Sequence, residues 1–226
     1  MTKVFAHRGA HESERENTIG AFSAAVALGV DGVELDVRRT LDGVLVVHHD
    51  PAVGEHVIAQ SEARALAHYV PTLEASLEAL RGVIVNVEIK TLEHVPEPTY
   101  DSTVEFARQV VAAVERVGAS DSVVFSSFDL ATCAVVRSFD RELYVAWLLW
   151  DRDLSSAMIE AHVLGLNAVN PHFWLLDDAT VNEARSMSLE VNAWTVNDES
   201  DLLAMARLGV ASVITDVPGL ALRLLA

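Results

Sequence analysis

The chain has 226 residues, is 51% hydrophobic and 22% charged, and sets 33 acidic side chains against 16 basic ones for a formal net charge of −17. That length and apolar share suit one large core, as in an α/β barrel of about 250 residues. The charge excludes a nucleic-acid binder, because no cluster of Lys and Arg supplies a basic footprint, so an anionic substrate must meet positive charge from particular side chains or a metal.

Short β-branched runs alternate with amphipathic stretches along the whole chain. Strands are predicted over 3–7, 32–38, 82–90, 122–126, 143–149, 166–170, 189–194 and 211–215. Helices are predicted between them over 17–28, 72–80, 101–117, 130–138, 154–164, 178–187, 199–208 and 219–225. Eight β-then-α units in sequence favour a closed parallel (β/α)8 barrel, a TIM barrel, over an open doubly wound sheet. Gly29, Gly118, Gly165 and Gly209 each follow a helix, where a left-handed C-cap is wanted. One domain over residues 1–226 is expected, with a short insertion after the second strand.

The first strand ends in His7-Arg8-Gly9. A histidine at that end of a barrel strand is poised for proton transfer, Arg8 can clamp a phosphate oxygen, and Gly9 allows a close backbone turn. In the second strand, alternation puts Glu34 and Asp36 on one face and Val33, Leu35 and Val37 on the other. The apolar set faces the helices, so both carboxylates point into the barrel. Two buried acids about 7 Å apart along a strand need neutralising, either by a hard cation such as Mg²⁺ or Ca²⁺ or by Arg or Lys across the barrel.

Asp42-Gly43 reads as a turn into an extension or extra strand over 44–48, ending in His48-His49-Asp50-Pro51. One histidine of that pair should face inward and the other outward. The third strand places Asn86, Glu88 and Lys90 inward, which adds a third carboxylate and a cation for a phosphate oxygen or an ion pair. The loops over 51–70 and 91–100 follow strand ends and belong to the catalytic face. Ser126 ends the fourth strand near the mouth.

Cys133 sits in an apolar helical pattern as a small core residue, and a lone cysteine allows no intrachain disulfide. His11, His56, His68, His94, His162 and His172 read as surface or structural residues. The N-terminus lacks the apolar core of a signal peptide, and no apolar run reaches 18 residues. A cytoplasmic, soluble protein without a transmembrane segment is expected.

The run "AHRGAHESERENTIGAFSAAVALGVDGVELDVRRTLDGVLVVHHDP" closely resembles the opening signature of glycerophosphodiester phosphodiesterases: HRG, ENT, E-x-D, T-x-D-G and HD. "NVEIK", "SSF", "NAWTVN" and "ITDVPG" then follow in that family's order, so the resemblance runs from His7 to Gly219. It implies that Glu34, Asp36 and Glu88 bind a divalent metal, and that His7 and His49 form the general acid/base pair. It implies phosphate contacts from Arg8 and Lys90, packing of Trp194 on the alcohol portion, and a further contact from Ser126.

The implied reaction is hydrolysis of a small-molecule glycerophosphodiester to glycerol 3-phosphate and an alcohol. Alternatives on the same site are a lysophospholipase D-like activity, another phosphodiesterase, or a catalytically lapsed phosphate-ligand binding protein. Asn17 reads as the N-cap of the first helix and a brace for the His7 loop, and Asp216 as a cap or loop brace outside the catalytic set. The sequence departs from the family pattern in the region 51–70, which lacks an Arg-Thr-Thr-like segment, and before Asn17, where Arg15-Glu16 replaces the Pro often found there.

Overall fold

A computed structural model of the chain describes residues 1–90 and 100–225. The predicted loop over 91–100 therefore lies outside the described residues except for Tyr100, and so does His94. The elements run β1 (Lys3–His7), α1 (Ile19–Leu28), β2 (Gly32–Arg39), β3 (Leu45–Val47), β4 (Ala52–Val53), β5 (His56–Val57), α2 (Leu73–Ala79), β6 (Ile84–Ile89) and α3 (Tyr100–Val117). They continue with β7 (Val123–Ser127), α4 (Leu130–Phe139), β8 (Tyr144–Leu149), α5 (Leu154–Val163), β9 (Ala168–Pro171), α6 (Asp178–Ser186), β10 (Glu190–Ala193), α7 (Glu199–Leu208), β11 (Ser212–Thr215) and α8 (Pro218–Leu225).

Eight of these strands pair in parallel around a closed ring, because β1 bonds both β2 and β11. The fold is the expected (β/α)8 barrel. The predicted extension after β2 forms β3, which pairs antiparallel with β2 through Val37 opposite Val47. The β4–β5 hairpin occupies the insertion that follows.

Alternation decides which side chains face where. On β2, Val33, Leu35 and Val37 are fully buried against the helix layer, which leaves Glu34 and Asp36 for the barrel interior. The helices start on short polar caps: Thr18, Thr72, Asp129, Asp153 and Asp177 each accept from a first-turn N–H. Cys133 is buried in α4, where burial pushes its thiol up to about 12 and leaves it inert as a nucleophile. The barrel floor is polar: Ser212 Oγ donates to Asn192 Oδ1, and Asn192 Nδ2 donates to Asn170 Oδ1, each at 2.8 Å.

The reading of Asn17 as the α1 cap is corrected. Thr18 is the cap, its Oγ1 accepting from the Ala21 N–H at 3.3 Å. Asn17 is committed elsewhere: its Nδ2 donates to Asp36 Oδ2 at 2.7 Å, and its backbone N–H to the Arg8 carbonyl at 2.9 Å. Those bonds do brace the turn after His7. No helix among the described residues is long and apolar enough to cross a membrane.

Candidate active site

The C-terminal ends of β1, β2 and β6 converge on a cavity of about 150 Å³ lined by His7, Arg8, Glu34, His49, Glu88, Lys90, Phe128 and Trp194 among others. Parallel register sets the heights: Asp36 lies beside Glu88, and Glu34 beside Asn86. Oxygens of Glu34, Asp36 and Glu88 all fall within 4.8 Å of one another, and all three residues are buried.

Three like charges that close raise one another's proton affinity. Burial, with help from Asp36 and Glu88, pushes the Glu34 carboxyl well above the usual carboxylate range. Burial also raises Glu88. Burial works on Asp36 in the same direction, but the charges of Lys90 and Arg8 outweigh it and hold that carboxyl below its ordinary value.

Glu34 Oε1 is buried with no hydrogen-bond partner among the described residues. Such an oxygen is costly unless something neutralises it. Three convergent carboxylates that leave Glu34 Oε1 without a partner fit a hard, oxygen-preferring cation.

Two cations border the carboxylates. Lys90 Nζ lies 2.5 Å from Glu88 Oε1 and 2.7 Å from Asp36 Oδ1. Arg8 places Nε 3.3 Å from Asp36 Oδ2 and donates from Nη1 to both oxygens of Glu16 at 3.1 Å. Its backbone N–H donates to Glu34 Oε2 at 3.1 Å. The turn needed for this puts Arg8 at φ 56° and Gly9 at φ 89°, both left-handed. At Gly9 a side chain is also excluded by space, since a Cβ would stand 2.8 Å from the Ala21 carbonyl carbon.

The adjacent histidines 48 and 49 separate as alternation requires. The His48 backbone N–H bonds the Asp36 carbonyl and its Nε2 donates to the Ala52 carbonyl at 3.2 Å, away from the cavity. His49 lines the cavity, with Nδ1 2.8 Å from Asp50 Oδ1. Arg38 anchors the His49 carbonyl through Nε at 2.9 Å and Nη2 at 2.5 Å. Burial depresses the His49 imidazole below the ordinary histidine value, Lys90 and Arg8 assist, and the nearby Asp36 opposes them.

An aromatic wall lines the same cavity through Phe128 and Trp194. Trp194 meets Phe128 edge-on at 5.3 Å and His172 edge-on at 5.1 Å, lies tilted against Trp150 at 5.4 Å, and Trp150 meets Trp174 at 5.1 Å. Phe128, Trp150 and Trp174 are 41%, 46% and 59% exposed, so the wall continues out of the cavity onto the surface. Ser126 faces inward beside Glu88 in register, but it is set back from the cavity, and its buried Oγ has no partner among the described residues.

Asp216, read from the sequence as a cap or loop brace, stands beside His7, with His11 next to it. Asp216 Oδ1 lies 2.6 Å from His7 Nδ1 and 3.1 Å from His11 Nε2. Its carboxyl is held below the usual range: burial raises it, but hydrogen bonds from His11, His7 and Asn197 outweigh that effect. Asp216 is the next inward position after Ser212 and Ile214, so the alternation used on β2 and β6 would have found it on β11.

The fold and the charged cavity at its strand C-termini define a (β/α)8 barrel with an enzyme-like site. The chain matches the Glycerophosphoryl diester phosphodiesterase family over residues 7–66 and 54–220, and it belongs to that family. The glycerophosphodiester phosphodiesterase of Caldanaerobacter subterraneus subsp. tengcongensis is 29% identical over 238 residues, covering 96% of this chain and 95% of that one. A crystal structure of a glycerophosphodiester phosphodiesterase from Parabacteroides distasonis superposes with a TM-score of 0.88 at 26% identity, over 99% of this chain and 96% of that one. A phosphodiesterase of Oleispira antarctica, solved with the product sn-glycerol-3-phosphate, shares the fold at a TM-score of 0.88 and 22% identity, over 99% and 96% of the two chains.

Proposed function

We propose that this chain, one barrel domain over residues 1–226, hydrolyses glycerophosphodiesters to glycerol 3-phosphate and an alcohol, with His7 and His49 as its acid/base pair. One observation carries the reading: both imidazoles line the same cavity as Arg8, Lys90, Glu34 and Glu88.

A divalent cation, Mg²⁺ or Ca²⁺, held by Glu34, Asp36 and Glu88 would neutralise charge building on the phosphoryl oxygens. Lys90 and Arg8 stand beside those carboxylates and bind the remaining phosphate oxygens. His49, kept neutral by burial, accepts the proton of the nucleophile, which is water or the neighbouring glycerol hydroxyl. Its bond to Asp50 fixes Nδ1 as the donor and leaves Nε2 as the acceptor. His7 delivers a proton to the departing alcohol oxygen from Nε2, because Nδ1 is bound to Asp216. Trp194 and Phe128 shield the organic portion from water.

The test is release of glycerol 3-phosphate from a panel of glycerophosphodiesters after chelation, with Mg²⁺ or Ca²⁺ added back. No release with either cation would reject the function.

A second reading, action on lysophospholipids, is favoured by the exposed Phe128, Trp150 and Trp174, an apolar surface beside the cavity where an acyl chain would lie. Glycerophosphocholine and lysophosphatidylcholine, assayed side by side, separate the two.

A further inference from the structure

His7 has two edges with different surroundings. Its Nε2 lies 3.9 Å from Glu34 Oε2, on the side of the carboxylate cluster. Its Nδ1 faces the other way, toward Asp216 and His11. On that side one carboxylate oxygen, Asp216 Oδ1, stands 2.6 Å from His7 Nδ1 and 3.1 Å from His11 Nε2. The three ligand atoms lie within 4.8 Å of one another.

We propose that His7, His11 and Asp216 form a second cation site, selective for a borderline transition ion such as Zn²⁺, whose occupation switches the enzyme off. The switching rests on the catalytic role proposed for His7, whereas the binding does not.

The donor chemistry sets the selectivity. Two imidazoles and one carboxylate favour Zn²⁺, Cu²⁺ or Co²⁺, whereas the all-oxygen cluster of Glu34, Asp36 and Glu88 favours Mg²⁺ or Ca²⁺. Ligands around a tetrahedral zinc stand about 3.3 Å apart with bonds of about 2.0 Å, so small side-chain shifts would admit the ion.

The carboxylate is oriented from behind, as metal-binding carboxylates usually are. Asn197 Nδ2 donates to Asp216 Oδ2 at 2.7 Å, and Asn197 Oδ1 accepts the Asp216 N–H at 2.9 Å. That clamp leaves Oδ1 directed at the two rings. His11 is held on the other side by the tight Gly9 turn and the bond from the Ala10 N–H to the Ala21 carbonyl at 3.0 Å. All three residues are partly exposed, so an ion can enter and water can complete its shell.

An ion on Nδ1 would draw electron density from the ring and pin it. Nε2 would then no longer exchange a proton with the substrate at a useful rate. His11 has no part in the proposed chemistry, so it can be changed without touching the reacting groups.

The test uses the full chain with saturating Mg²⁺. One equivalent of Cu²⁺ should give an electron paramagnetic resonance spectrum with coupling to two imidazole nitrogens, reduced to one in His11→Gln. Absence of nitrogen coupling, or an unchanged spectrum in the variant, overturns the site whether or not the protein is an active phosphodiesterase. In the activity arm, Zn²⁺ should inhibit the wild type, and His11→Gln should raise the half-inhibiting concentration at least tenfold while keeping basal turnover. Raising Mg²⁺ tenfold should leave that concentration unchanged. A proportional rise would place Zn²⁺ at the carboxylate cluster instead and overturn the switch.

Discussion

Nδ1 of His7 lies 2.6 Å from Oδ1 of Asp216, although 209 positions separate the two residues in the chain. Closure of the ring between β1 and β11 makes them neighbours, and it gives His7 the carboxylate that fixes its ring. Asp216→Asn preserves the shape but removes the charge. We expect kcat to fall about 10²-fold with KM little changed, since the loss falls on proton transfer. An unchanged kcat would reject the positioning role.

Replacing either histidine of the proposed acid/base pair should be more severe. His7→Ala and His49→Ala should each lower kcat by about 10²–10⁴-fold, the usual share of a general acid or base. Near-normal turnover in both would remove the assignment. Because burial depresses the His49 imidazole, its basic form persists to lower pH than for a free histidine. The acid limb of the kcat/KM profile should therefore lie below the ordinary histidine value of about 6.5.

Stability should depend on cation and pH together. Glu34 has a raised folded-state value, so in the cation-free protein its favourable contribution is complete below the unfolded glutamate value and is lost as pH rises through the folded one. A cation at the carboxylates reverses that loss. The gain in Tm on adding Mg²⁺ or Ca²⁺ should be larger at pH 8 than at pH 5, and it should shrink in Glu34→Gln. Thermal melts across that range measure both.

The aromatic wall should act on binding of the alcohol portion, away from the reacting atoms. Trp150→Ala and Trp174→Ala should raise KM for substrates with bulky leaving groups and leave kcat near normal. Equal losses for large and small leaving groups would place the wall outside the binding surface.

Gly9 combines φ 89° with a Cβ position 2.8 Å from backbone atoms of Ala21. Gly9→Ala should cost about 1–3 kcal/mol of stability. Urea denaturation would read the cost, and a change below about 0.5 kcal/mol would contradict the packing described.

Sequence alone decided whatever depends on strand or helix period. The inward placement of Glu34, Asp36, Asn86, Glu88 and Lys90 follows from a repeat of two that needs no knowledge of neighbours. Gly29, Gly118, Gly165 and Gly209 marked helix ends for an equally local reason, and each has a positive φ. The order of eight β–α units settled the barrel.

Tertiary structure decided what depends on which atoms meet. Alternation separated His48 from His49 and the family resemblance named His49, but only the antiparallel pairing of β3 with β2 brought that imidazole to the cavity. Asn17 was drawn from helix capping to Asp36 by a bond across the barrel mouth. Asp216 was brought to His7 and His11 by ring closure, a contact between the first strand and the last that no local pattern encodes. Side-chain direction is a property of a few consecutive residues, whereas the distance between two side chains depends on the whole path of the chain between them.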